Sequence, residues 1–403
     1  MNLKYSLMFA AALTVSAGLV SCGDDDNNTT SGDQPNNGNQ TENNGGQSDI
    51  NTSRAALEAK LVTTNKEFVE NTVIPTYRNL ADYNKKLVEA LEAMNSDETV
   101  KAACEMWKQS RKWWEYSEAF LFGPASDYSI DPHTDTWPFD KAAFDNFMSK
   151  YHPATNEADA DYIDQAIATG QNLTGFHAVE YLIFREGQPR KFADMTADEI
   201  YFAKSAAKDL YLSSLKLVAA WNGELSADEQ KWLEDEEFSY DNYGDEFRNA
   251  GKAGSRYKSV LDGAIHIIAG ANEIIGEVRD SKIGNPANGE DPNYIESPHA
   301  YNSITDFYDN IMSCKHALYG GYTMEGNTPS ETSLIGVCLQ IAQTKDAAVE
   351  VEKKLDAALA AIKKMKAPFV KYYTDQSAKD AMSALDELEK SLNALSDILS
   401  KYE

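Results

Sequence analysis

Residues 173–184 read LTGFHAVEYLIF. At 100° per residue, Leu173, His177, Glu180, Tyr181 and Phe184 share one face of a helix, while Phe176, Val179, Leu182 and Ile183 fill the rest, so the segment is apolar on all sides. Such a helix must be covered by other helices. His177 and Glu180 are then polar groups in apolar surroundings, and a buried carboxylate needs a cation or hydrogen bonds beside it.

The same three- and four-residue spacing of apolar side chains recurs along the chain, and no strand pattern shows from residue 51 onward. It predicts helices near 51–93, 97–121, 159–186, 196–222, 252–283, 301–319, 330–365 and 376–402. Pro75 is expected to kink the first, because it lacks a backbone donor and crowds the preceding turn. Residues 223–250 form the most polar stretch between two groups of four helices. The expected fold is all-α, with two four-helix-bundle-like domains in series over 51–225 and 226–403. An ancient duplication is compatible with this layout, although the halves share little identity. Two connections, 123–140 and 279–301, are too long for a plain bundle, and their Trp, Tyr and Ile content points to ordered, functional loops.

Lys4 followed by LMFAAALTVSAGLV and Ser21-Cys22 resembles a lipoprotein signal peptide, removed before Cys22 so that the thiol carries lipid. Residues 23–50 hold six acids, no bases and almost nothing to bury, which describes a disordered acidic tether. The expected location is the cell envelope at the outer membrane, and Asp24–Asp26 resembles the signal that sends some lipoproteins to its outer face. The membrane partner is then reached through the N-terminal lipid only. Across 403 residues, 64 acids against 37 bases leave a formal charge of −27, a surface that repels nucleic acid and favours cations. Cys104, Cys314 and Cys338 permit at most one disulfide bridge, and the chain contains no CxxC pair.

Chemistry concentrates in two places. In QSRKWWEYSEAFLFGP (109–124), Arg111, Glu115 and Glu118 fall on one stripe of a helix. Taken with His177 and Glu180, they make the kind of carboxylate and imidazole set that helical bundles use to hold a metal. One His-x-x-Glu and one Glu-x-x-Glu suit a single ion better than two. Iron, zinc and copper all accept such donors.

The segment WExxEAFLFGP (Trp114–Pro124), the loop residues Ile130, Asp131, Trp137 and Pro138, and GxHxxE at Gly175, His177 and Glu180 together resemble the imelysin family. EVRDSKIGNP, Glu296 with Ser297, and SITDFYDNI extend the resemblance into the second half. It implies two helical domains with a site between them, and a role in iron acquisition at the cell envelope. It further implies that His177 and Glu180 form the metal-binding or catalytic motif, that Glu115 and Glu118 face it, that Arg111 and Asp131 orient the pocket, and that Ser297 and Asp306 close it. The leading expectation is a protein that binds a metal ion, iron first, or an iron-bearing ligand. One alternative is a metallopeptidase using His177 and Glu180, although neither HExxH nor HxxEH is present. The other is a surface module for a different ligand or a protein partner, in which GxHxxE is only structural.

Overall fold

The computed structural model describes residues 45–402 except 151–162, 164–165, 169, 292 and 324–327. The expected signal peptide, Cys22 and nearly all of the tether lie outside these residues. Ten helices carry the site: α1 (Gly45–Glu67), α2 (Ile74–Glu92), α3 (Asp97–Glu115), α4 (Ile130–Asp135), α5 (Gly175–Ile183), α6 (Ala197–Ala220), α7 (Val260–Glu277), α8 (Ser303–Tyr319), α9 (Ala342–Lys363) and α10 (Gln376–Ser400). The strands among the described residues are the two-residue pair Phe184–Arg185 and Gln188–Pro189. None of the helices searched is long and apolar enough to cross a membrane.

Local chemistry sets the ends of these helices. Ser96 caps α3 and Thr196 caps α6, each in a reciprocal box with the side chain three residues on, Thr99 and Glu199, so that otherwise orphaned backbone donors are satisfied. At Pro75 the expected kink takes the form of a π-helical segment, Phe68–Val73, running directly into α2. A wider turn accommodates the missing donor and the crowded carbonyl four residues back. A second π-helical segment, Val278–Gly284, follows α7 and stands just before Pro286. It turns Lys282 and Ile283 into the interior.

Packing joins the two halves of the chain. In the first half α2 lies against α3 and α6, and α5 lies against the same two helices. In the second, α7 lies against α8 and α10, and α9 against α8 and α10. The groups meet where α8 packs on α3 and where α7 packs on the 3-10 turn Glu118–Phe120, and residues 47–403 form one compact unit. The first long connection is built largely of short helices, Pro124–Asp127 and α4, which carry the chain from α3 back beneath α5.

The expected burial of α5 is complete: every residue from Gly175 to Ile183 is buried. Trp107 and Trp114 of α3 fill the space beside it, and the Trp107 indole donates to the Phe176 carbonyl at 3.0 Å while its ring meets Phe184 edge-on at 5.4 Å. Cys104, Cys314 and Cys338 are free thiols buried in this core. Replacing Trp107 with Ala should cost about 3–5 kcal/mol, the range for emptying a large aromatic site. Urea unfolding followed by circular dichroism measures this, and a loss below about 1 kcal/mol would contradict the packing described.

Candidate functional site

Arg111 and Glu115 could have formed a solvated stripe, but both are 0% exposed. The cause is the junction of the two helix groups: α8 covers the face of α3 that carries them. Around this pair, the 3-10 turn supplies Glu118, α4 supplies Asp135, α5 supplies His177 and Glu180, the second π-helical segment supplies Lys282, the loop before α8 supplies Glu296 and Ser297, and α8 supplies Asp306 and Asn310. All of them are buried.

Arg111 is the hub. Its Nη2 lies 2.5 Å from Glu115 Oε1 and 2.6 Å from Glu296 Oε1, its Nη1 pairs with Asp135 Oδ1, and its Nε stands 3.8 Å from Asp306 Oδ1. Phe176 lies beneath the guanidinium at 5.4 Å. Asp135 also accepts the Trp114 indole N–H at 2.8 Å, and Glu115 accepts from Asn310. Lys282 Nζ donates to Glu296 Oε1 at 3.1 Å and lies 3.7 Å from Glu118, 3.9 Å from Glu115 and 4.0 Å from Glu277. The Trp137 ring covers that ammonium at 5.0 Å.

His177 sits between two carboxylates, with Nε2 at 3.1 Å from Asp135 Oδ1 and Nδ1 at 3.5 Å from Glu180 Oε2. Glu180 Oε1 in turn accepts the backbone N–H groups of His299 and Ala300 at 2.8 and 2.7 Å. This fixes the imidazole from behind and ties α5 to the second half. The glycine of GxHxxE has a steric reason: Gly175 has φ +72°, and a Cβ there would lie 2.1 Å from the Thr134 carbonyl oxygen. Only glycine lets the start of α5 rest on the end of α4, which brings His177 to Asp135.

Electrostatics follow from burial against pairing. Burial opposes the charge on Arg111, but Asp135, Glu115, Glu296 and Asp306 outweigh it and hold the guanidinium protonated. Lys282 is likewise penalised by burial and held charged by Glu118, Glu296 and Glu115. Burial pushes Glu115 and Glu118 well above the usual carboxylate range despite these cations. Burial also raises Asp306 to about 7 against the pull of Arg111. Asp135 goes the other way, because Arg111 and His177 overcome its burial. His177, penalised by burial, is raised to about 9 by Asp135 and Glu180.

Among the described residues, two groups of donors converge closely enough to hold a metal: Asp135, His177 and Glu296, and Glu115, Glu118 and Asp135, each with its ligand atoms within 4.8 Å of one another. The first group fits an ion on a further observation. Glu296 Oε2 is buried without a hydrogen-bond partner, and His177 Nε2 has only the Asp135 carboxylate, at 3.1 Å, outside good hydrogen-bond geometry; a metal would satisfy both atoms. One imidazole with two carboxylates is a donor set that iron, zinc and copper accept.

Of the residues expected from sequence, Arg111, Glu115, Glu118, His177, Glu180 and Asp306 meet in this interior. Glu180 lies behind the imidazole with Oε1 already bonded. Asp131, raised by burial and by Asp135 to about 7, lies on the rim beside Glu277 and Lys282. Ser297 is buried with a left-handed backbone, φ 46°, next to Glu296. Asp135, Glu296 and Lys282 belong to the cluster but carried no expected role. Asp135 sits four residues after Asp131 in the first long loop, and Lys282 and Glu296 stand inside the second-half segments that resemble the imelysin family, which was the signal available for each.

The model of the family described as Imelysin, whose label also names it a peptidase family, matches residues 73–398. "Iron-regulated protein A" of Synechococcus elongatus is 26% identical over 262 residues, and the chain spans 64% of the length of that curated relative, using 64% of its own. Among solved structures, one described as an iron-regulated protein A precursor from Parabacteroides distasonis superposes with a TM-score of 0.72 at 24% identity, covering 85% of this chain and 95% of the other. An imelysin-like protein from Psychrobacter arcticum gives 0.55 at 13% identity, over 87% and 93%. At these identities the two structures speak for the all-α fold alone. The family match, running through α2 to α10 and including every residue of the buried cluster, shows that the chain belongs to the imelysin family.

Proposed function

We propose that this protein binds one metal ion, iron first, through Asp135, His177 and Glu296, and serves iron uptake at the cell envelope. The observation that carries the metal reading is the burial and convergence of these three donors, with Glu296 Oε2 left without a hydrogen bond and His177 Nε2 facing only Asp135. The iron part draws on the names of the relatives, two of which are called iron-regulated. Glu180 acts in this reading as the orienting carboxylate, since it holds the far nitrogen of the imidazole and is itself fixed by two backbone donors. A peptidase would need in addition a water position and a free base beside the ion. A metal-loaded sample offered a peptide library is expected to leave it intact, and reproducible cleavage would favour the peptidase reading.

Isothermal titration of the wild type with Fe(II), Zn(II) and Cu(II) should show one site. His177→Ala should weaken it more than about 100-fold, and Glu180→Gln by about 10–100-fold, the range for losing an orienting partner. Equal, unmeasurable binding of all three ions by the wild type would sink the proposal.

The pH dependence has a definite sign. A ligand imidazole must be neutral, whereas His177 without metal holds its proton up to about pH 9. Metal binding at neutral pH should therefore release a proton, and affinity should rise with pH until about 9. Titration in two buffers of different ionisation enthalpy measures the proton, and an affinity unchanged between pH 6 and 8 would contradict His177 as a ligand.

In the same reading Cys22 carries the lipid that holds the protein at the outer membrane. Cys22→Ala should abolish incorporation of labelled palmitate and move the protein from the membrane to the soluble fraction. Unchanged labelling would refute the anchor.

A further inference from the structure

The second donor group, Glu115, Glu118 and Asp135, is as tightly gathered as the first, and the ammonium of Lys282 faces two of its three members. Lys282 is 0% exposed, and its Nζ lies 3.7 Å from Glu118 Oε1, 3.9 Å from Glu115 Oε2 and 3.1 Å from Glu296 Oε1. Of these, only Glu296 is a donor in the first group. The ammonium reaches one of these oxygens at hydrogen-bond distance and the other two only at ion-pair distance, so it balances the carboxylates more by charge than by directed bonds. It is also held in place: the π-helical turn Val278–Gly284 faces it inward, and the Trp137 ring closes over it.

We infer that Lys282 determines the metal stoichiometry, standing in for a second ion at Glu115, Glu118 and Asp135 so that the protein takes one metal and not two. The inference rests on the metal reading above. Asp135 belongs to both donor groups, and a carboxylate common to two ions is how neighbouring metals share a site in helical bundles. Without the lysine, Glu115 would keep Arg111 and Asp135 would keep Arg111 and His177, while Glu118 would lose its ion-pair partner, and a divalent ion would supply the missing positive charge. With the lysine present, an incoming ion has to displace an ammonium that is fully buried among its carboxylates.

The test uses the folded chain, cobalt(II) as the probe, equilibrium dialysis for stoichiometry and electron paramagnetic resonance for coupling between ions. Wild type should bind one cobalt with the spectrum of an isolated ion. Lys282→Met and Lys282→Gln, the latter chosen because its amide can still bond the carboxylates if the apolar variant does not fold, should each bind two, with loss of signal from coupling through Asp135. Lys282→Arg, which keeps the charge, should remain at one. A purely structural lysine would change stability but leave the stoichiometry at one in every variant, and that result overturns the inference while the metal reading stands. Two ions in the wild type or in the arginine variant overturn it as well. No cobalt in the wild type but one in both neutral variants overturns the inference, because the lysine then blocks a single site, whose donor Glu296 it bonds, and does not stand in for a second ion. No cobalt in any protein overturns both.

Discussion

A guanidinium removed from water has to be surrounded by oxygen, and Arg111 imposes that condition on the centre of this protein. Its partners come from α3, α4, the loop before α8 and α8 itself. No single helix can provide them, so satisfying one buried charge fixes how the two groups of helices meet. The cost of burying an ion far exceeds what an exposed pair returns. A rearrangement that pulled α8 from α3 would take Asn310 from Glu115 and Asp306 from Arg111 at once.

Carboxylates outnumber cations in this interior, and the imbalance is met in two ways. Lys282 adds a second permanent cation, while burial raises the proton affinity of Glu115, Glu118 and Asp306. Asp135 is the exception. Held ionised between Arg111 and His177, it is the anion common to both donor groups. In the metal reading proposed above, an arriving ion would exchange with protons, so its apparent affinity would be set by the pH as much as by the donors.

The helices were legible because their apolar spacing is regular, and α5 was the clearest, since a segment apolar on all sides can only be covered. His177, Glu180, Arg111, Glu115 and Glu118 were legible as helix-borne residues at three- and four-residue spacing. Asp135 was not, because α4 has only six residues and lies inside a loop rich in proline and aspartate. Glu296 sits in irregular backbone beside a strained serine, where periodicity says nothing. Lys282 was hidden by the π-helical turn: on a regular α-helix continued from α7 it has no inward signal beyond its neighbour Ile283. In each case the missing information is backbone geometry that breaks the 3.6-residue period, and all three breaks supply residues to the buried cluster.

The acidic composition and the buried cluster act at different ranges. Most of the excess acid lies on solvated helix surfaces, where salt screens it within about 8–10 Å. Such a surface raises the local concentration of cations and repels anions without choosing among metals. Choice has to come from the interior, where Gly175 lets α5 approach the carbonyl of Thr134 and so sets the distance from His177 to Asp135. Enlarging that residue by one methyl group would push α5 off α4 while leaving every charged side chain in the sequence. The glycine, which carries no donor itself, thus controls whether imidazole and carboxylate can meet.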